Sequence, residues 1–445
     1  MPELEELARQ IEETARKAGA DDAECLVRRV RSLRVEVKNG EPEGVRRVDE
    51  TSAALRVIVE GKEGFACTTA PGDDVIGMLA RDALDGAKLL EPAVENRFST
   101  VDTHPGPVTG LMDAKGAAAT FREKVEIAAV IEDAVLRADP RIRQAHKPSY
   151  QEAMRQTAIA SGARVWSYED SVYAISVQSV ARDSEESQSG YDFMASRRSG
   201  DLDPVKVGKE AGMEAVGLLG GTPPRTGTYP AVFPPRVALD LLGALISSFS
   251  AEEMQKGRSR LADRRGDIVF SRELTIMDDG TMPFMTGSVP FDDERVPVTP
   301  RKLVDQGVMT GCLHTLKTAA KWSEKPTGNA FRASMSSAPA PGSSNLFIQP
   351  GPVPVTGLLP SGPSVRFSSL LGSHTVDRVS GDFSLGAAGF ILQDGQPVKP
   401  FRNGTVSGNL FDLMLSLAAV GDDLKFYGSM GSPSLLFESV IVTGN

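Results

Sequence analysis

The run Gly220-Gly221-Thr222-Pro223-Pro224-Arg225-Thr226-Gly227 constrains the fold of this chain more than any other feature. Glycine and proline at that density continue neither a helix nor a central strand, so regular structure has to stop and restart there. Composition changes across it. Long periodic segments precede it, whereas Gly, Pro and Ser are dense after it, with short β-like runs at Ile268–Phe270, Leu274–Met277, Ser364–Phe367 and Leu435–Val442. A length of 445 residues corresponds to two or three domains. The expected division is an N-terminal α+β domain over 1–112, a middle α+β unit packed with it over 113–222, and a β-rich C-terminal domain over 228–445. The predicted fold class is therefore α+β, with helices packed on mainly antiparallel strands in the front region.

Within the front region, Leu4, Leu7 and Ile11 form one stripe of a helix over about Pro2–Lys17, with Gly19 as its stop. Leu33, Val35 and Val37 alternate with charged residues, as do Leu55, Val57 and Val59 with their neighbours, and Gly61–Gly64 turns the chain into Phe65–Thr68. A helix is expected over Asp74–Leu89 and a linker over 91–112. Asp113 is expected to cap a long helix through Arg137. Strands follow at Gln156–Ser167 and Ser171–Asp183, separated by the polar Tyr168–Asp170, then a turn at Ser184–Gly190 and a helix at Val205–Leu219. In the second half, one helix is expected over Pro235–Glu253.

Charge narrows the partners. Lys+Arg total 49 against Asp+Glu 59, a net charge of −10, and no basic stripe suited to nucleic acid or an anionic membrane is visible. No apolar run is long enough for a membrane span. The three cysteines, Cys25, Cys67 and Cys312, are far apart and odd in number, which suits reduced thiols and a cytoplasmic location.

Catalytic chemistry is hard to find. The four histidines, His104, His146, His314 and His374, never pair at helical spacing. Cys312 and His314 would share one face of a strand, and read better as two semi-buried residues than as a metal site. There is no G-x-S-x-G elbow, and Gly221–Gly227 lacks the Lys-Ser/Thr of a phosphate loop. The acid pairs Asp278-Asp279, Asp292-Asp293 and Asp422-Asp423 read as turns or caps. No cofactor is expected.

Six segments in order do carry a resemblance: Ile276–Gly280, Pro290–Val296, Lys302–Val308, Pro326–Arg332, Ser380–Ser384 and Val420–Leu424. Together with Val35–Glu41 and Gly64–Ala66 they resemble the TldD/PmbA family, historically labelled as modulators of DNA gyrase. In that family the TldD-like kind of subunit carries a His-Glu-x-x-x-His helix and a later cysteine, which hold a metal for peptide hydrolysis. Aligned on Leu241-Leu242, the first ligand position of this chain is Gly243, the general-base position Ala244 and the second ligand position Ser248. No cysteine follows Cys312, and the corresponding stretch reads Gly428-Ser429-Met430-Gly431-Ser432. All four positions are vacant.

The resemblance therefore implies the other kind of subunit, called TldE or PmbA: non-catalytic alone, and assembled with a TldD-like metallopeptidase subunit that processes small flexible peptides. A homodimer in isolation is compatible with it. The alternative is a regulator that binds DNA gyrase or another protein and has no peptidase role. Asn329 and Arg332 are the candidate peptide-binding residues, because both present donors suited to a carboxylate or a peptide backbone. Arg332 would otherwise pair with the acidic turn Asp292-Asp293.

Overall fold

The alternating residues of the front region lie on long strands of one antiparallel sheet. A computed structural model describes residues 1–444. Helix α1 (Pro2–Lys17) leads into β1 (Asp22–Lys38), β2 (Glu41–Val59) and β3 (Lys62–Thr68). Helix α2 (Asp73–Lys88), the single turn α3 (Ala114–Ala117) and helix α4 (Phe121–Ala138) follow. Then come β4 (Ile142–Ser161), β5 (Arg164–Asp183), β6 (Glu186–Ser196) and helix α5 (Pro204–Gly217). The sheet order is β3-β2-β1-β4-β5-β6, so strands from both sides of residue 112 share one sheet. Both helix pairs cover the same face. Helices α1 and α2 bury Cys25, Val27, Leu55 and Ala158 at one end, and α4 and α5 bury Leu33, Val35, Tyr150 and Ile175 at the other.

Three local expectations are corrected here. Asp113 caps only α3. Helix α4 starts at Thr120, whose hydroxyl and Glu123 form a capping box that satisfies two backbone donors reciprocally. Tyr168–Asp170 is not a turn: the chain reverses at Gly162, where φ is +60°. The polar residues continue β5, and Asp170 is buried between Arg155 and Arg197. The next reversal is confined to Ser184-Glu185, and β6 already begins at Glu186.

Past the Gly-Pro run, β7 (Gly227–Phe233) precedes α6 (Pro235–Leu245), a 3-10 turn (Ile246–Phe249) and α7 (Ala251–Gln255). The single long helix expected here is broken at Ser250. That residue is extended and its side chain accepts from the Glu253 N–H, so serine restarts the helix rather than continuing it. Short elements follow: β8 (Ile276–Asp278), β9 (Arg301–Asp305), β10 (Val308–Met309) and α8 (Leu316–Lys321). A ribbon of β11 (Ala330–Phe331) with β12 (Ala340–Pro341) leads to β13 (Leu346–Ile348). Ile268–Phe270 forms only a lone bridge from Ile268 to Val308 and no strand.

The last elements are β14 (Pro363–Leu371), β15 (Asp382–Gln393), β16 (Gln396–Asn409) and α9 (Leu410–Leu415). They are followed by β17 (Leu417–Val420), β18 (Lys425–Tyr427), β19 (Met430–Ser432) and β20 (Leu435–Gly444). Strands β16-β15-β14-β7-β20 pair in series and β20 pairs back with β16, which closes a barrel and removes its free edges. Phe233, Phe367, Phe401 and Phe437 fill it, with ring centroids 4.7–6.0 Å apart. A second sheet, β10-β9-β8-β13-β19-β18, lies beside α6. The chain is α+β, with a β-rich C-terminal half. Among the described residues no helix is long and apolar enough to cross a membrane.

Candidate functional site

Leu241, Leu242 and Leu245 bury one side of α6 in the core and leave Asp240, Gly243 and Ala244 partly accessible. That side faces β19. A side-chain carbon added at Gly243 would lie 3.8 Å from the Met430 methyl group. The structure thus brings together the two stretches in which the resemblance places metal ligands. Their chemistry does not fit a metal. Glycine and alanine offer no donor, and a serine hydroxyl and a methionine thioether are poor zinc ligands. Ser248 is also buried, in the 3-10 turn beyond the end of α6, and its carbonyl accepts from the Ser259 hydroxyl at 2.8 Å. Among the described residues no group of three or more His, Cys, Asp or Glu side chains is placed to hold a metal ion.

Cys312 and His314 do meet, in an irregular segment after β10 rather than on a strand face. Cys312 Sγ lies 3.1 Å from His314 Nε2, and Glu324 Oε2 lies 3.5 Å from the same nitrogen. Arg265 donates to both Glu324 oxygens at 2.9 and 3.2 Å and approaches Cys312 Sγ at 3.5 Å. The guanidinium thus takes the place a cation would need. Burial pushes the thiol up and the imidazole down, so both are neutral at pH 7. Cys312, Arg265 and Glu324 line the wall of a cavity of about 300 Å³.

Asn329 and Arg332 belong to the interior. Asn329 Nδ2 donates to Asp278 Oδ2 at 2.7 Å and to the Gly342 carbonyl at 3.1 Å. The Arg332 guanidinium donates to the Ser337 carbonyl at 2.5 Å and lies over the Phe65 ring of β3. Burial, followed by repulsion from Arg56, lowers its pKa to about 10. Arg332 does meet the acidic turn, but through its backbone, whose N–H donates to Asp293 Oδ2 at 2.9 Å.

That acidic segment fastens the two halves of the molecule. Asp292 accepts backbone N–H bonds from Glu294, Val296 and Ala330, each at 2.9 Å, which fixes the loop. Asp293 takes Arg28 of β1 at 2.8 Å. Glu294 takes Arg56 of β2 at 2.8 Å and the Leu316 N–H at 2.7 Å. Phe291 packs edge-on against Trp166 and Tyr168 of β5. Burial raises Asp292 and Glu294 above the usual carboxylate range, opposed in Glu294 by Arg56.

Sequence reasoning missed a polar cluster where β6 meets β18. Burial pushes Asp192 up to about 6, and Lys425 opposes the shift. Lys425 also lies 4.7 Å from the Tyr427 ring centroid, and Phe193 packs on Tyr427. An acidic residue on an inward-facing strand position was the available signal.

The chain is similar to known proteins along most of its length. Residues 23–87, 115–219 and 226–444 match, respectively, PmbA/TldA metallopeptidase domain 1, the central domain and the C-terminal domain. A protein named metalloprotease PmbA homolog from Haemophilus influenzae is 25% identical over 440 residues, covering 97% of this chain and 94% of its own. Metalloprotease PmbA of Escherichia coli O157:H7 is 25% identical, with 96% and 93% covered. A Thermotoga maritima structure described as a candidate modulator of a DNA gyrase superposes with a TM-score of 0.90 at 26% identity, over 99% of this chain and all of that one. TldE from Thermococcus kodakarensis shares the fold, with a TM-score of 0.86 at 20% identity over 98% of this chain and all of that one.

Proposed function

Because the chain belongs to the PmbA/TldD metallopeptidase family, we propose that it is the non-catalytic, TldE/PmbA-like subunit of a two-subunit peptidase acting on small flexible peptides. The observation that supports the reading is the α6–β19 contact, where Gly243, at the first ligand position implied by the resemblance, and Ala244, at the general-base position, lie beside Met430 of the stretch that corresponds to the later cysteine. Peptide hydrolysis needs an activated water and a stabilised oxyanion, from a metal or from a nucleophile with its base. Among the described residues neither set is found, and the Cys312–His314 contact is neutral, with Arg265 beside its sulfur.

Its role is then to enclose the active site of a TldD-like partner and to help position the peptide. Asn329 and Arg332 serve that role by holding the 329–332 segment against Asp278 and the acidic loop, since the Asn329 amide and one Arg332 nitrogen already donate within the chain. Mixing the purified chain with a TldD-like subunit and an unstructured peptide, with and without chelator, tests the proposal. Cleavage is expected only in the mixture and only without chelator. Cleavage by this chain alone refutes it, as does partner activity indifferent to this chain.

A further inference from the structure

Positions of β1 on the helix-covered face read Cys25, Val27, Arg29, Arg31, Leu33, Val35, Val37: apolar, then basic, then apolar again. Their partners on β2 follow suit, with Asp49 opposite Arg31 and Arg47 opposite Leu33. Helices α1 and α2 cover one apolar end and α4 and α5 the other, so the basic middle is left open. A cleft of about 920 Å³ lies there, floored by β2, β1, β4 and β5 and walled by the first turn of α4.

Its charges do not balance locally. Arg29 holds Asp49 with two bonds of 2.9 and 3.0 Å, Lys124 holds Glu152 at 2.6 Å, and Glu169 accepts from Gln156 at 3.1 Å. Arg155 at the rim is committed to Asp170. Arg31 and Arg47 have no hydrogen-bond or ion-pair partner among the described residues and are exposed. Three guanidiniums thus crowd one carboxylate, and Asp49 is held below the usual range, first by Arg29. Leu33, Val45, Met112, Phe121 and Met154 give the same cleft an apolar lining.

We propose that this cleft is a binding site for an acidic peptide segment that carries apolar side chains, with Arg31 and Arg47 taking its carboxylates. The inference rests on the peptide-handling role argued above and adds to it a docking site remote from the α6–β19 position. The sheet separates the cleft from the loop Pro290–Val296 on its other face. Free arginines match carboxylates in pairs of donors, and the apolar lining matches leucine or phenylalanine between them. A nucleic acid would need a continuous basic stripe, whereas this patch is two arginines wide on a chain of net charge −10.

Fluorescence anisotropy of the full chain with a labelled Glu-Leu-Glu-Phe-Glu-Leu peptide tests the site. The expected result is saturable binding that weakens at least tenfold in Arg31→Glu/Arg47→Glu and is unchanged in Arg46→Glu, an exposed arginine of the same strand outside the cleft. A Lys-Leu-Lys-Phe-Lys-Leu peptide should not bind. Hydrogen exchange on the unmodified chain gives an independent readout, with slowing expected at 29–33 and 45–49 when the acidic peptide is added. Absence of saturable binding, equal loss in Arg46→Glu, or equally tight binding of a single-stranded DNA oligomer overturns the proposal. Partner-dependent cleavage that survives the double charge reversal would leave the subunit reading standing and remove the cleft from it.

Discussion

On one face of the six-stranded sheet, Arg28 and Arg56 are paired with Asp293 and Glu294 away from water; on the other, Arg31 and Arg47 stand unpaired beside an open cleft. The same side-chain type on the same two strands meets opposite conditions, because successive residues of a strand point to opposite faces. A desolvated guanidinium must keep its carboxylate, since an uncompensated buried charge is costly. An exposed one is free to take a carboxylate from elsewhere. The buried face fixes the assembly of the two halves, and the open face is available for recognition.

The contrast is broken most easily at Glu294. Replacing it in Glu294→Ala removes the partner of Arg56 across the two halves and the acceptor of the Leu316 N–H, while Glu24 still holds Arg56 at 2.6 Å, and should lower unfolding free energy by about 3 kcal/mol, read from urea denaturation. A loss below about 1 kcal/mol, the range of exposed pairs, would mean that the interface is wetter than the structure describes.

The next effect is pH-dependent. Asp192 is raised to about 6, so its carboxyl binds a proton more tightly in the folded chain than in the unfolded one. The stability it contributes is complete below the ordinary carboxylate range and is lost as pH rises through about 6. Asp192→Asn removes that loss and should gain on the wild type by up to about 3 kcal/mol between acid and neutral pH. Denaturation curves at several pH values check the sign, and a variant that loses ground as pH rises contradicts it.

Thr120→Ala removes the capping box of α4, the wall of the cleft, and should cost about 1 kcal/mol with earlier exchange of the first-turn amides. Arg47→Gln is the smallest change. With no partner to lose, it should alter stability by less than about 0.5 kcal/mol; a larger drop would show that Arg47 is structural and erase the distinction between the faces.

The sequence makes the helix-covered face legible and hides the other one. Leu33, Val35 and Val37 read as a strand because Arg34, Glu36 and Lys38 alternate with them. Tyr168–Asp170 read as a turn for the same reason, yet Asp170 is polar and interior, satisfied by Arg155 and Arg197 from distant segments. Pattern alone cannot reveal a buried ion pair whose partner is far along the chain. Ser247-Ser248-Phe249-Ser250 concealed the helix break similarly, since serine's competition with the backbone is settled only by tertiary packing. That Gly243 and Ala244 offer no metal donor is legible because residue type decides it, and the approach of Gly243 to Met430 is not, because it depends on how β19 meets the helix. Asn329 and Arg332 carry suitable donors, and only the fold tells that Asp278 and Gly342 already take the Asn329 amide and Ser337 one Arg332 nitrogen.

The most direct test of the central claim is the zinc content of the purified chain after incubation with excess metal and desalting, measured alone and together with a TldD-like subunit. The account predicts no stoichiometric zinc on this chain alone, with metal recovered only when the partner is present. One tightly held zinc per chain in the absence of a partner would contradict it.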